Sequence, residues 1–363
     1  MYIDELSLKL GSKDKLSTVT LTNPSCTIFV GPNNSGKSLV LREIARLCDF
    51  GRTSDRLIVD DITFRPHTEK EAHEILKSLT LIPRYGEVIF EHHVKIRRGN
   101  SSEQVHIENF LEALQEPNSE IGRSRYANYY GVNFLLVLDG PSRISLVAPQ
   151  ERGDLKNPSG TFARILTNDA RRSAIRNILH DAFGLYLGID MSEGSLLSLR
   201  YGTTPPPSER SVQDETLEWM RRAQPIENMS DGVKAFTGIL LELLAGDPRV
   251  IVIDEPEAFL HPALAFKLGK HIAKTAVEAD KHVFVSTHSP QFLMGAKQSG
   301  AKADVVRLTY QDGTATARIL ENSAVRSMMR DPLLRSVSYS PTLGQFFGFF
   351  KLQPAPADRF GLR

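Results

Sequence analysis

The sequence predicts an α/β fold, and three apolar runs predict it. Cys26 to Val30 is a short strand-like run that feeds directly into the glycine-rich loop Gly31 to Ser38 and then a helical pattern. Val250 to Ile253 is wholly apolar, as a strand covered on both faces must be, and it ends in two carboxylates, Asp254 and Glu255. His282 to Thr287 is a third strand, and it ends in the polar string Ser286 to Pro290.

Residues 1–30 read as strands throughout: Tyr2 to Leu10 alternates, Thr18 to Thr22 is rich in β-formers, and Cys26 to Val30 is continuous. After the loop, Val40, Leu41, Ile44 and Leu47 recur on one helical face. Residues 51–225 are mixed. Val88 to Arg98 reads as a strand and Ile107 to Leu114 as a helix, and Phe134 to Asp139 with Arg143 to Ala148 as a hairpin around Gly140 and Pro141. Asn168 to Phe183 is an amphipathic helix, Tyr201 to Ser208 a proline-rich loop and Asp214 to Arg222 a helix. From residue 226 the pattern sharpens. Asp231 to Ala245 carries Val233, Phe236, Ile239, Leu240, Leu243 and Leu244 on one stripe, and Gly246, Asp247 and Pro248 end it. Ala263 to Ala279 is helical through Leu264, Leu268, Ile272 and Ala276. Val305 to Thr309 and Thr314 to Leu320 form a hairpin through Gln311, Asp312 and Gly313. Tyr339 to Arg363 repeats Phe, Gly and Pro without a period and reads as a peripheral tail. No internal repeat and no sustained heptad array occurs, which argues against a long coiled-coil arm.

Composition bounds the function. At 363 residues, 41% hydrophobic and 24% charged, the chain can bury a sizeable core. A formal charge of +1 means that nucleic-acid binding would require a local basic patch. Cys26 and Cys48 lack any CxxC spacing and point to a reducing compartment. No apolar run reaches the roughly 18 residues of a membrane span, and the alternating, acidic N-terminus is unlike a signal peptide. The expectation is a cytoplasmic protein without membrane insertion.

The string GPNNSGKS comprises Gly31, Pro32, Asn33, Asn34, Ser35, Gly36, Lys37 and Ser38, and satisfies G-x-x-x-x-G-K-[ST] in full. Its glycines let backbone N–H groups turn onto phosphate oxygens, Lys37 brings an ammonium to the β- and γ-phosphates, and Ser38 offers a hydroxyl to Mg²⁺. A Gly/Ser turn that fits by chance is the plain alternative, weakened by the flanking strand and helix. In VIVIDEPEAFLHP, Asp254 reaches the C-terminal edge of a buried strand, where ligands of α/β sheets sit, and would hold Mg²⁺. Glu255 would polarise the attacking water. In STHSP, a neutral His288 could hydrogen-bond a γ-phosphate or that water, or could simply be satisfied by backbone. A serine nucleophile at Ser286 or Ser289 is disfavoured because no G-x-S-x-G elbow occurs. In NMSDGVKAF, Ser230 and Gly232 open a helix, an anion-binding end that a second copy of the chain could aim at the same triphosphate; an ordinary Ser cap is the alternative.

The order GPNNSGKS, MSDGVKAF, VIVIDEPEAFLHP, STHSP resembles that of ABC-type ATPases, in the branch that holds SMC-like and OLD-like (overcoming lysogenisation defect) proteins. DEPEAFLHP, the degenerate SDG signature and the wide gap between Lys37 and Asp254 look most like the OLD-like group. The resemblance implies a P-loop ABC-type ATPase head with a mixed β-sheet core. Its core would be residues 1–50 and 226–335, with 51–225 as inserted strands and helices and 336–363 as the tail. It implies ATP and Mg²⁺, a head-to-tail homodimer in which Ser230 and Gly232 of one copy close over Lys37 and Ser38 of the other, and His288 as the switch histidine. Phe259 to His261 takes the place of the loop that crosses the dimer seam. The Q-loop glutamine is assigned to Gln150, with Gln104 as the alternative. Two departures stand out: no TOPRIM nuclease domain is expected, so either a separate partner supplies an effector or the chain is a shortened relative, and the signature lacks the LSGGQ string of transporters. Basic residues at Lys95, Arg97 and Arg98, at Arg171, Arg172 and Arg176, and at Arg221 and Arg222 could form a nucleic-acid groove or solvated faces. The functions in contention are a nucleotide-gated switch in DNA maintenance or anti-phage defence, a transporter's ATPase subunit, and a nucleotide-dependent scaffold for an effector.

Overall fold

The computed structural model describes residues 1–12, 15–52, 56–83, 85–98, 101–156, 158, 160–211, 213–311 and 314–320. The expected tail and the turn residues Asp312 and Gly313 lie outside them.

The chain opens with strands β1 (Ile3–Ser12), β2 (Lys15–Thr22) and β3 (Cys26–Val30) and helix α1 (Lys37–Phe50). Next come β4 (Val59–Phe64) and α2 (Glu69–Leu79), the helix starting at a capping box between Thr68 and Glu71. The hairpin β5 (His93–Arg98) and β6 (Ser101–His106) leads into α3 (Ile107–Gln115), α4 (Gly122–Tyr126), a π-helical segment at Ala127–Gly131 and α5 (Val132–Phe134). Strand β7 (Leu135–Leu138), α6 (Gly140–Ser145), β8 (Gln150–Glu151), α7 (Thr161–Thr167) and α8 (Asp169–Phe183) follow. Then come β9 (Tyr186–Asp190), β10 (Leu196–Gly202), α9 (Asp214–Arg222) and β11 (Gln224–Pro225). The described chain finishes with α10 (Asp231–Ala245), β12 (Val250–Asp254), α11 (Pro262–Glu278), β13 (His282–Ser286), α12 (Pro290–Gln298), β14 (Asp304–Gln311) and β15 (Thr314–Leu320).

A six-stranded sheet in the order β15-β14-β3-β13-β12-β7 is the frame of the molecule. All its pairings are parallel except β14 with β15. Alternate residues of its strands feed two cores. Ile28, Val30, Ile251, Ile253, Val283 and Val285 pack on one side with Phe236, Leu240, Leu268 and Ile272 of α10 and α11. Phe29, Val250, Val252 and Phe284 pack on the other with Val40, Leu41 and Ile44 of α1 and with Leu6 and Leu8 of β1. A strand buried on both faces is therefore apolar throughout, as β12 is. The antiparallel sheet β2-β1-β4 and the sheet holding β11, β10, β8 and β9 flank this frame. Cys26 and Cys48 are both free, one in each core, and burial pushes each thiol up to about 12. Among the described residues no helix is long and apolar enough to cross a membrane.

The α/β class is as expected, but one local reading is overturned. Residues 134–148 do not form a hairpin: β7 pairs in parallel with β12, and Gly140–Ser145 is a helix. Asp139 caps it by accepting from the Ser142 N–H at 3.0 Å, and Pro141 lies in its first turn, both helix-start signals. The predicted strand Val88 to Arg98 is strand only from His93.

Glu43, buried on α1, clamps the entry to β4. Its carboxylate accepts from the backbone N–H groups of Leu57 (2.7 Å), Ile58 (3.0 Å) and Val59 (2.7 Å). The bonds to Ile58 and Val59 are buried, so removing the acceptor strands two donors. Glu43→Ala is expected to destabilise the protein by about 2–6 kcal/mol and Glu43→Gln by clearly less, read from the denaturant midpoint.

Candidate functional site

The parallel register brings four strand ends to one edge. Asp254 stands opposite Ser286, Ser286 opposite Phe29, and Ile253 opposite Leu138. Each strand therefore releases its loop on the side where sheets of this kind bind ligands. A cleft of about 430 Å³ opens there, lined by Asn33, Asn34, Ser35, Gly36, Lys37, Ser38, Leu39, Arg42 and His288.

The loop after β3 is shaped for an anion. Gly36, at φ 92°, caps α1 in the left-handed region that favours glycine, and a Cβ there would stand 2.5 Å from Ile58 Cδ1. Asn34 is also left-handed, at φ 61°. The Lys37 ammonium donates to the carbonyls of Gly31 (3.0 Å) and Pro32 (2.8 Å), which hold it at the loop's centre. Burial draws its pKa down, while Glu255 and Asp254 oppose that shift. The buried hydroxyl of Ser35 has no hydrogen-bond partner among the described residues.

Lys37 and Asp254, far apart in sequence, converge here. Ser38 Oγ donates to Asp254 Oδ1 at 3.2 Å, and the Ser286 hydroxyl donates to the same oxygen. One hydroxyl and one carboxylate suit Mg²⁺, which takes few protein oxygens and completes its shell with phosphate and water. Among the described residues no cluster of three or more His, Cys, Asp or Glu is placed to hold a metal ion.

Glu255 sits at φ 50°, a left-handed conformation that costs a residue with a side chain about 1–3 kcal/mol. Its N–H donates to Ser286 O at 3.0 Å, and its carbonyl accepts from Ala258 N–H at 3.0 Å and from the Arg143 guanidinium. The turn thus aims the carboxylate at His288, whose Nε2 lies 2.8 Å away. That hydrogen bond lowers the Glu255 pKa against an opposing push from burial; the charge of Lys37 adds to the lowering. The carboxylate is therefore ionised at neutral pH.

Ser230 and Gly232 do not line the cleft. Ser230 is exposed at the N-cap position of α10, and its hydroxyl makes no capping bond there. Gly232 is buried against Phe259, where a Cβ would meet the Phe259 carbonyl oxygen at 2.5 Å. Phe259 is 64% exposed and left-handed at φ 69°.

Gln150 is not brought to the cleft. Its Oε1 accepts from Phe162 N–H at 3.1 Å and caps α7. Gln104 is also engaged locally, with the Phe90 N–H and the Val88 carbonyl. The basic clusters are largely neutralised within the chain. Lys95 pairs with Glu87 at 2.6 Å, Arg97 with Asp247 at 2.9 Å, Arg98 with Glu103 at 3.2 Å, and Arg172 and Arg176 with Glu209. Arg222 pairs with Glu218 at 2.7 Å. These contacts favour structural ion pairs and solvated faces over a groove.

Sequence reasoning passed over two residues. Glu257, the third acid of DEPE, binds the loop after β13: its Oε1 accepts from Thr287 Oγ1 (2.6 Å), His288 N–H (2.9 Å) and Ser289 N–H (3.1 Å). Its signal was legible, a further carboxylate just beyond a buried strand. Arg143 is buried under the turn after β12; the hairpin reading of its segment hid it.

This sheet and loop arrangement is that of an ABC-type, SMC-like P-loop ATPase head. The solved structure of the SmcHead bound to the C-winged helix domain of ScpA covers 90% of this chain and 100% of its own, at a TM-score of 0.51 and 14% identity, a likeness of fold. The family model for the AAA domain, putative AbiEii toxin, Type IV TA system, matches residues 26–294, and the chain belongs to that family. An ABC transporter-like protein of Encephalitozoon cuniculi is 30% identical over 154 residues, 37% of this chain. The match spans 26% of that protein's length. The lipoprotein-releasing system ATP-binding protein LolD of Neorickettsia sennetsu is 26% identical over 157 residues, 42% of this chain and 69% of its own.

Lys37→Ala is expected to weaken binding of a fluorescent ATP analogue about 10- to 100-fold, the loss of one charge-assisted bond, with the circular dichroism spectrum unchanged. Unaltered affinity would remove Lys37 from the anion site.

Proposed function

We propose that the chain binds and hydrolyses ATP as a head-to-tail homodimer, a nucleotide-gated switch acting in DNA maintenance or defence against mobile DNA. One observation carries the hydrolysis: an ionised Glu255, paired with His288 at 2.8 Å, at the mouth of a cleft that holds Lys37. Lys37 and the backbone N–H groups of residues 33–38 would take the β- and γ-phosphates. Ser38 and Asp254 would hold Mg²⁺, which when bound supplies charge neutralisation on those phosphates. Glu255 orients a water molecule and accepts its proton as the water oxygen bonds to the γ-phosphorus and the bond to the ADP oxygen breaks. His288 donates its N–H either to Glu255, keeping it directed at that water, or to the γ-phosphate.

The exposed Ser230 at the start of α10, with Gly232 of the same turn packed against the backbone of the exposed Phe259, supports a composite site, in which α10 of a second copy presents its N-terminus to the triphosphate. ATP then closes the dimer and hydrolysis reopens it. The OLD-like subgroup and the DNA-linked role that it implies rest on the DEPEAFLHP and SDG strings. Binding to a partner is how the SmcHead of the solved relative was captured, which supports a partner-bound head here. The two curated relatives favour a second reading, the ATPase subunit of a transporter, which predicts co-purification with a membrane protein.

Glu255→Gln is expected to lower the ATPase kcat by about 10²-fold or more and to accumulate ATP-bound dimer, read by light scattering on a sizing column. Hydrolysis at the normal rate in that variant would strike out the role given to Glu255.

A further inference from the structure

We propose that Glu257 is the positioning residue that sets His288 against Glu255. The inference rests on the hydrolysis reading and adds a residue that does not line the nucleotide cleft.

The argument starts from what holds the loop after β13. Thr287 to Ser289 is too short to carry hydrogen bonds of its own beyond the Ser289 N–H to Thr287 Oγ1 contact at 2.9 Å. The Thr287 N–H continues the sheet to the Phe29 carbonyl at 3.1 Å, while the Thr287 hydroxyl and the backbone N–H groups of His288 and Ser289 converge on one atom, Glu257 Oε1. The backbone on both sides of the histidine Cα is therefore pinned to the turn that carries Glu255, two residues before Glu257 in the same turn. Ser289 Oγ, accepting from Phe292 N–H at 3.1 Å, anchors the far side of the loop to α12. With its Cα held between these anchors, the imidazole reaches Glu255 Oε1. Burial also raises the Glu257 carboxyl above its ordinary value, and its Oε2 is buried without a hydrogen-bond partner among the described residues. A carboxyl so placed acts as an acceptor through one oxygen, and a glutamine can reproduce that.

The test uses the full chain with ATP and Mg²⁺, and compares Glu257→Ala with Glu257→Gln. In Glu257→Ala, kcat falls about 10- to 100-fold, as for a displaced catalytic group, while KM for ATP changes little. The ¹⁵N shift of His288 Nε2 in nucleotide-free protein moves to its position in Glu255→Gln. Glu257→Gln restores both readouts. A lowered melting temperature with kcat and the imidazole shift unchanged would reduce Glu257 to a structural tie and overturn the proposal. Should Glu257→Ala not fold, a folded Glu257→Gln that has lost the imidazole signature overturns it equally, and one that keeps it supports the proposal. If the wild-type chain hydrolyses no ATP, the hydrolysis reading fails, and the imidazole shift still decides the role of Glu257.

Discussion

The turn after β12 is held against the loop after β13, acid by acid. Asp254 takes the Ser286 hydroxyl, Glu255 takes the His288 imidazole, and Glu257 takes the Thr287 hydroxyl with two backbone N–H groups. Three carboxyl groups crowded at one sheet edge would repel one another and lose hydration. Each instead finds a donor fixed in place by the adjacent strand. Lys37 and the buried Arg143 add positive charge on either side. Low local dielectric makes such a network strong when every member is paired and costly when one is not.

The register behind this pairing is a consequence of packing. Because β12 and β13 are buried on both faces, a slip of one residue would exchange the sets facing the α10–α11 core and the α1 core. Val252 and Phe284 fill one core while Ile253 and Val285 fill the other, so the alignment of Asp254 with Ser286 follows from hydrophobic packing. On the opposite flank, Glu43 holds Ile58 over Gly36, which ties the phosphate-type loop to β4. The strained φ of Glu255 is tolerated for the same reason: its N–H and carbonyl are both bonded to neighbours that cannot move independently.

Much of this was legible beforehand. The strand–loop–helix around Gly31 to Ser38, the helix from Asp231 and the strand ending at Asp254 are local signals, with period and punctuation agreeing. The segment 134–148 was misread because its polar turn, Asp139 to Ser142, fits a hairpin as well as a helix cap, and only the parallel pairing of β7 with β12 decides between them. Gln150 carried no local sign that its amide would cap α7. The arginine clusters looked available because their carboxylate partners, such as Asp247 and Glu209, are distant in sequence.

The sequence by itself determined the kinds of chemistry present and the strand ends that deliver them, because a glycine-rich loop, an apolar strand and its terminal carboxylates are local facts of backbone sterics and burial. Tertiary structure alone decided which groups meet: Ser38 with Asp254, Glu255 with His288, Glu257 with the whole loop from Thr287 to Ser289, and Arg143 beneath them. Contacts of that kind depend on the order and register of strands in the sheet, and those are set by the simultaneous packing of two cores, which no single stretch of chain encodes.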